Sequence, residues 1–226
     1  MPSRARPMPR KRVAILISGR GANMAALIAA AKKPDYPAEI AMVLSNRPDA
    51  GGVRRAGAEG IATAVVDHRD FGKDREAFER AVQAFLDAHR IDIVCLAGFM
   101  RLLTPWLVSR WSGRMINIHP ALLPSFTGLH THERALEAGV KIHGATVHFV
   151  VPEVDSGPII AQAAVPVLDD DTPDTLAARV LAAELRIYPL ALALVAGGKS
   201  SIAAQGTVRN AVAVSPDALL IVPDPR

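Results

Sequence analysis

Apolar positions fall along this chain in two alternating patterns. The runs RVAILIS (12–18), AEIAMVLSN (38–46), ATAVVD (62–67), DIVCLAGF (92–99) and RMINIH (114–119) are short, β-branched and almost continuously apolar, and they read as buried strands. Between them, NMAALIAAAKK (23–33), AGGVRRAGAEG (50–60) and DREAFERAVQAFLDAHR (74–90) repeat their apolar residues every three or four positions and read as helices. Gly60 closes the second helix just beyond its C-cap, and Phe78, Val82 and Phe85 form the apolar face of the third. Strand, helix, strand with continuous apolar strands predicts right-handed crossovers and a parallel sheet covered on both faces.

After residue 140 the grammar changes. GATVHFVV (144–151) and PIIAQAAVPV (158–167) alternate in the manner of antiparallel strands and are joined by the turn PEVDSG. A helix is predicted over Pro173–Ala196, capped by Asp171-Thr172, with Leu176, Val180 and Leu181 facing inward. The segment 201–226 has turn signals at Gly206 and Ser215-Pro216 and predicts a peripheral hairpin. The fold class is therefore α/β: a single-domain, doubly wound, mostly parallel sheet with helices on both faces and antiparallel strands in the C-terminal half. Residues 1–11 read as a basic, disordered leader, 12–198 as the body, and 199–226 as an extension packed on the same domain.

Composition narrows the classes of function. Lysine and arginine total 26 against 22 acidic residues, a net charge of +4. Five of those cations (Arg4, Arg6, Arg10, Lys11 and Arg12) lie in the acid-free opening MPSRARPMPRKR, so the remainder has 21 basic and 22 acidic residues, a net of −1. A near-neutral body argues against a nucleic-acid-binding face. The opening lacks the apolar segment of a signal peptide, and no run is long enough to span a bilayer. The single cysteine, Cys95, lies inside the apolar strand IDIVCLAGF, which makes it a buried small residue and fits a reducing cytoplasm.

Two places carry candidate chemistry. ISGRGANM lies where the first strand meets the first helix, with glycines at 19 and 21 but neither the third glycine of a dinucleotide fingerprint nor a Walker lysine. It is either a phosphate cradle at a helix N-terminus or a tight turn capped by Asn23. The second place is MINIHPALLPSFTGLHTH (115–132), which holds three of the seven histidines. Period-two alternation puts Asn117 and His119 on one side of the fifth strand and Ile116 and Ile118 on the other, while Pro120 ends the strand. A lone histidine there is satisfied by backbone or is catalytic. Asp155 in the following turn and the loop AGFMRLL (97–103) favour catalysis. A carboxamide, an imidazole and a carboxylate suit acyl transfer, with Asn117 donating to an oxyanion, His119 handling a proton and Asp155 favouring the charged ring. No serine or cysteine is placed as a nucleophile. His130 and His132 lack metal-ligand spacing, so no metal is expected.

Taken together, VAILISGRGANM, LAGFMRLL, NIHPALLPSFTGLHTH, HGATVHFVVPEVDSGPIIAQ and AELRIYP resemble the glycinamide ribonucleotide formyltransferase family over residues 12–198, in matching order. The resemblance implies a formyltransferase-like fold and formyl transfer from 10-formyltetrahydrofolate, a co-substrate, to the amine of glycinamide ribonucleotide in purine biosynthesis. It implies Asn117, His119 and Asp155 as catalytic residues. Gly21, Ala22, Asn23 and Glu184 are implied on the ribonucleotide, and Arg75, Met100, Arg101, Leu102, Leu103 and Asn117 on the folate. The chain departs from the family at Ser125-Phe126-Thr127, where a Lys-Tyr-Pro or similar run is common, and at Ser156, where the pattern is Asp-Gly-Gly. Small-molecule substrates are the expected partners, and the oligomeric state is left open, a homodimer included. The rival readings are formyl transfer to initiator methionyl-tRNA, hydrolysis of the formyl-folate, and a non-catalytic nucleotide-binding module. Replacing Cys95 by alanine is expected to alter packing alone; a folded Cys95→Ala protein without activity would overturn that assignment.

Overall fold

A computed structural model describes residues 9–203 and 206–211. The expectations for residues 1–8 and for the Ser215-Pro216 turn fall outside them. Seven strands form one sheet: β1 (Lys11–Ile17), β2 (Ala38–Ser45), β3 (Ala62–Val65), β4 (Ile93–Leu96), β5 (Met115–His119), β6 (Ile142–Phe149) and β7 (Ile159–Pro166). Their spatial order is β3-β2-β1-β4-β5-β6-β7. Pairing is parallel from β3 across to β5, then antiparallel between β5 and β6 and between β6 and β7. The order reverses between β1 and β4, and in an open α/β sheet the crevice beyond the carboxyl ends of such strands takes the ligand.

The described residues form six α-helices: α1 (Ala22–Ala31), α2 (Gly51–Ala58), α3 (Arg75–Ala88), α4 (Pro105–Arg110), α5 (Thr131–Glu137) and α6 (Pro173–Ala196). Val13, Ile15 and Ile17 of β1, Ile93 and Cys95 of β4, and Ile116 and Ile118 of β5 share a core with Ala145, Val147 and Phe149 of β6. Met24 and Leu27 of α1 and Val180, Tyr188 and Leu192 of α6 cover that face. On the opposite face Leu16, Leu44, Val94, Leu96 and Met115 meet Phe78, Val82 and Leu86 of α3 and Leu107 of α4. That second core stops at Met115 on β5. Beyond it the same face carries Asn117, His119, Thr146 and His148, paired across β5 and β6.

The apolar stripe of α3 differs from the expected one. Phe78, Val82 and Leu86 are buried, whereas Phe85 is 37% exposed. Each four-residue step turns the stripe by ~40°, so it drifts toward the side of Glu79 and Leu86 and leaves Phe85 at its trailing edge. The short helices α4 and α5 and a 3-10 turn over His68–Phe71 were not legible in the apolar pattern. After α6, β8 (Ser200–Ile202) and β9 (Val208–Asn210) form an antiparallel hairpin. No helix among the described residues is long and apolar enough to cross a membrane.

The start of α6 follows its sequence signal. Thr172 is the N-cap in a capping box with Thr175, and Pro173 fills the first turn, where a missing N–H costs nothing. Asp171 sits beneath the cap, accepting from the Leu168 N–H (2.8 Å), the Thr175 hydroxyl (2.8 Å) and both Arg179 Nη atoms (2.6 and 2.9 Å). The Arg179 guanidinium holds the Asp171 carboxyl well below the usual carboxylate range. Its folded pKa is depressed, so the stabilisation is fully present above the unfolded value and disappears as pH falls through the folded one. Asp171→Asn is expected to lower stability at neutral pH by about 2 kcal/mol. Denaturant titrations of both proteins from pH 7 down to pH ~2 test this, with the deficit narrowing below pH ~4; a deficit independent of pH would contradict the assigned charge pairing.

Candidate active site

The glycine loop after β1 turns on Gly21, the N-cap of α1, at φ 75°, a left-handed conformation open to glycine without strain. Asn23 therefore does not cap the helix, contrary to one of the two sequence readings. It lies inside α1, where its Nδ2 donates to Glu184 Oε2 at 2.6 Å, and its buried Oδ1 has no partner. Glu184 comes from α6 and is only 7% exposed; burial raises its pKa above the usual value, opposed by the Asn23 bond. Gly21, Ala22, Asn23 and Glu184 thus form one neighbourhood, with the first N–H groups of α1 unused by the helix. The Gly52 N–H at the start of α2 donates to Gly19 O (3.1 Å) and holds the loop from the other side.

The second cluster occupies the open face of β5 and β6. The register sets His148 opposite Asn117 and Thr146 opposite His119. Burial lowers the pKa of His148, partly offset by its bond to a main-chain carbonyl, so the ring is neutral at pH 7. Its Nδ1–H then donates to Phe149 O (2.9 Å), and its Nε2 accepts from Asn117 Nδ2 (3.2 Å). That fixes which way the carboxamide points and leaves its second N–H free to donate. His119 donates from Nε2 to Phe126 O (2.9 Å), and its Nδ1 stands 3.4 Å from Asp155 Oδ2. Both ring nitrogens face acceptors. The side chains of His119 and Asp155 are 7% and 10% exposed, so the pair is shielded from bulk water.

Asp155 reaches this cluster by a route not evident in the sequence. Because β6 is antiparallel, its turn departs beside Met115, at the amino end of β5, where the Val150 N–H donates to Met115 O (2.9 Å). The turn then doubles back until the Gly128 N–H donates to Asp155 Oδ2 (2.8 Å). Asp155 sits at φ 53°, which a short polar side chain tolerates better than most. Gly157 carries the return: a Cβ there would lie 1.7 Å from Phe149 O. Ser156, one of the departures from the family pattern, is exposed and donates to Val154 O (3.0 Å), so the turn accepts its side chain without change.

The remaining histidines separate. His130 is exposed, with Nδ1 3.4 Å from Glu133. His143 lies on the helix-covered face with its ring against Phe126 (5.6 Å) and His132 (5.4 Å). Burial pushes its pKa down to about 4, with His132 adding to the effect, so it packs as a neutral aromatic behind the residue whose carbonyl holds His119. The signal for His148 was present in the sequence: Thr146 and His148 are the polar positions of one face of an otherwise apolar strand.

On the folate side implied by the resemblance, Met100 and Leu102 are 64% and 57% exposed, Arg101 and Leu103 are half-buried, and Leu103 packs on the core of α3 and α4. Val154 and Leu129, on the two loops that meet at Asp155, are also exposed, at 53% and 64%. Arg75 is exposed on the first turn of α3 and makes no side-chain hydrogen bond to the other candidate residues. Sequence reasoning passed over Ser18 and Asn46, buried at the ends of β1 and β2, and Glu79 on α3.

A family model described as formyl transferase matches residues 11–192. The phosphoribosylglycinamide formyltransferase of Escherichia coli K12 is 46% identical over 187 residues, covering 83% of this chain and 88% of that protein. The trifunctional purine biosynthetic protein adenosine-3 of Gallus gallus is 49% identical over 197 residues; the chain spans only 20% of its length, while 87% of the chain is covered. The crystal structure of phosphoribosylglycinamide formyltransferase from Brucella melitensis superposes with a TM-score of 0.80 at 58% identity, over 84% of this chain and 97% of that one. A formyltetrahydrofolate deformylase from Pseudomonas syringae also superposes, with a TM-score of 0.82 at 28% identity over 90% of this chain and 67% of that one. With its fold, the run of the family model and the near full-length bacterial relative in agreement, the chain belongs to the phosphoribosylglycinamide formyltransferase family of formyl transferases.

Proposed function

We propose that the protein transfers a formyl group from 10-formyltetrahydrofolate to the amine of glycinamide ribonucleotide, with residues 12–198 as the catalytic body. The observation that carries this is the Asn117, His119 and Asp155 cluster, buttressed by His148, on the face of β5 and β6 beyond Met115, where the core of α3 and α4 stops. Family membership supports formyl transfer to the ribonucleotide, the activity the relatives bear in their names; the folate donor follows from the resemblance. The ribonucleotide phosphate sits on the N–H groups of the Gly21 loop, near Asn23 and Glu184, as anions do at helix N-termini. The folate lies along Met100–Leu103, whose exposed apolar side chains offer a surface for a flat heterocycle, and Arg75 receives its acidic end.

In this reading the neutral amine attacks the formyl carbon, forming a C–N bond and a tetrahedral intermediate. Asn117 donates its free N–H to the new oxyanion, and protonated His119, whose two ring nitrogens face Phe126 O and Asp155, stabilises it by its charge. Asp155 keeps His119 charged and takes the amine proton directly or through water; collapse breaks the bond to the folate nitrogen, which is reprotonated. No protein nucleophile is required. Thr146, the hydroxyl on the same face, is occupied by Ala121 O (2.7 Å) and the Leu123 N–H (3.0 Å).

The deformylase-like alternative puts water in place of the amine on the same fold. Incubation with both substrates, following formylated ribonucleotide and tetrahydrofolate together, separates the two: transfer gives equal amounts, hydrolysis gives free formate. Asn117→Ala and His119→Ala are expected to fold and to lose about 10²–10³-fold in kcat, the scale of lost electrostatic stabilisation of an oxyanion; near-parental rates in either would refute its role. Asp155→Asn is expected to bind both substrates with unchanged Kd and to slow the chemical step in single-turnover measurements. Full-rate turnover by that variant would remove Asp155 from the mechanism.

A further inference from the structure

The segment after β4 has no regular structure from Ala97 to Thr104, yet two buried polar groups fasten its backbone. The first is Ser18, 8% exposed and one residue ahead of the glycine loop. Its hydroxyl accepts from the Met100 N–H (2.7 Å) and donates to Asn46 Oδ1 (2.6 Å), and its own N–H donates to Gly98 O (3.1 Å). The second is Glu79 of α3, 1% exposed. One of its oxygens accepts from the Thr104 N–H (2.6 Å) and the other from the Thr104 hydroxyl. Among the described residues, no lysine, arginine or histidine forms a salt bridge with Glu79.

A buried carboxylate without a cation is expensive, and an apolar side chain would fill the same volume without that cost. What the two oxygens add is geometry. They seize the backbone and the side chain of a single residue, so Thr104 is fixed in position and in rotation. Between the fastened residues, Met100 and Thr104, lie only Arg101, Leu102 and Leu103. We infer that Glu79 and Ser18 are positioning residues that hold 100–104 as a pre-formed wall for the formyl donor, with Ser18 tying that wall to the ribonucleotide loop. The identity of the donor rests on the formyl-transfer reading; the fastening does not. Pre-forming a binding segment saves the ordering that binding would otherwise impose, so its loss falls on donor affinity and not on the chemical step.

Three variants test this: Glu79→Gln, Thr104→Val and Ser18→Ala. Thr104→Ser, which keeps both donors, is the conservative control. In each test variant, amide hydrogen exchange at 100–104 is expected to accelerate about tenfold, the scale of one lost hydrogen bond, while Val82–Leu86 within α3 stays unchanged. The KM for formyl-folate rises by a similar factor, with kcat and the KM for ribonucleotide within about twofold. Thr104→Ser matches the parent, and the Glu79→Gln/Thr104→Val double variant is no worse than the poorer single one. Unchanged exchange at 100–104, or faster exchange with an unchanged donor KM, overturns the inference. So does a lower melting temperature with reduced kcat and unaltered KM, which marks a merely structural role. A parent protein that turns over neither substrate defeats the functional reading, and the exchange comparison then decides the fastening by itself.

Discussion

Because β6 runs against β5, His148 stands directly opposite Asn117, and the chain leaving β6 must turn back over the face it has just paired. That reversal supplies two of the four groups in the cluster. A parallel β6 would end beside the carboxyl end of β5, and the chain leaving it would start from there. The turn is short enough to return Asp155 to within 3.4 Å of His119, and it does so only because Gly157 lets the backbone pass against Phe149 O. Strand direction, a glycine and a carboxylate therefore act as one unit.

The same region shows how buried polar groups are made tolerable. His148 is neutral, with a donor and an acceptor each matched. Glu184 shares its burial with Asn23, and Glu79 with Thr104. Tyr188, fully buried one turn beyond Glu184, donates its hydroxyl toward Leu96 O (2.9 Å) and Ile116 O (3.2 Å). This locks α6 beneath the ends of β4 and β5, so the helix carrying Glu184 is registered to the strand carrying Asn117. Asn23 Oδ1, beside the glycine loop, is buried without a partner among the described residues.

Much of this was legible in the chain. The five apolar runs gave strands, period two placed Asn117 and His119 together, and the Asp171-Thr172-Pro173 signal located the start of α6 correctly because caps act through immediate neighbours. The path of the Asp155 turn was not legible, since it depends on which end of β5 the β6 strand leaves from. Phe85 was misjudged because a helix stripe drifts, and which edge of it meets the core is decided by α4 and the sheet. Glu79 carries no signal in the pattern of α3; its role rests on a contact with Thr104, 25 residues away.

The outermost strand β7 ends the sheet on the side of the C-terminal hairpin. Asn210 of β9 donates its amide to Ile160 O (2.8 Å), near one end of β7, and Arg179 donates to Pro166 O (3.0 Å) at the other. Pro166 itself has no N–H to offer. Unpaired sheet margins template the addition of foreign strands, and here the margin is stoppered at both ends by side chains. A foreign strand approaching that border meets a donor already seated on the carbonyl at each end.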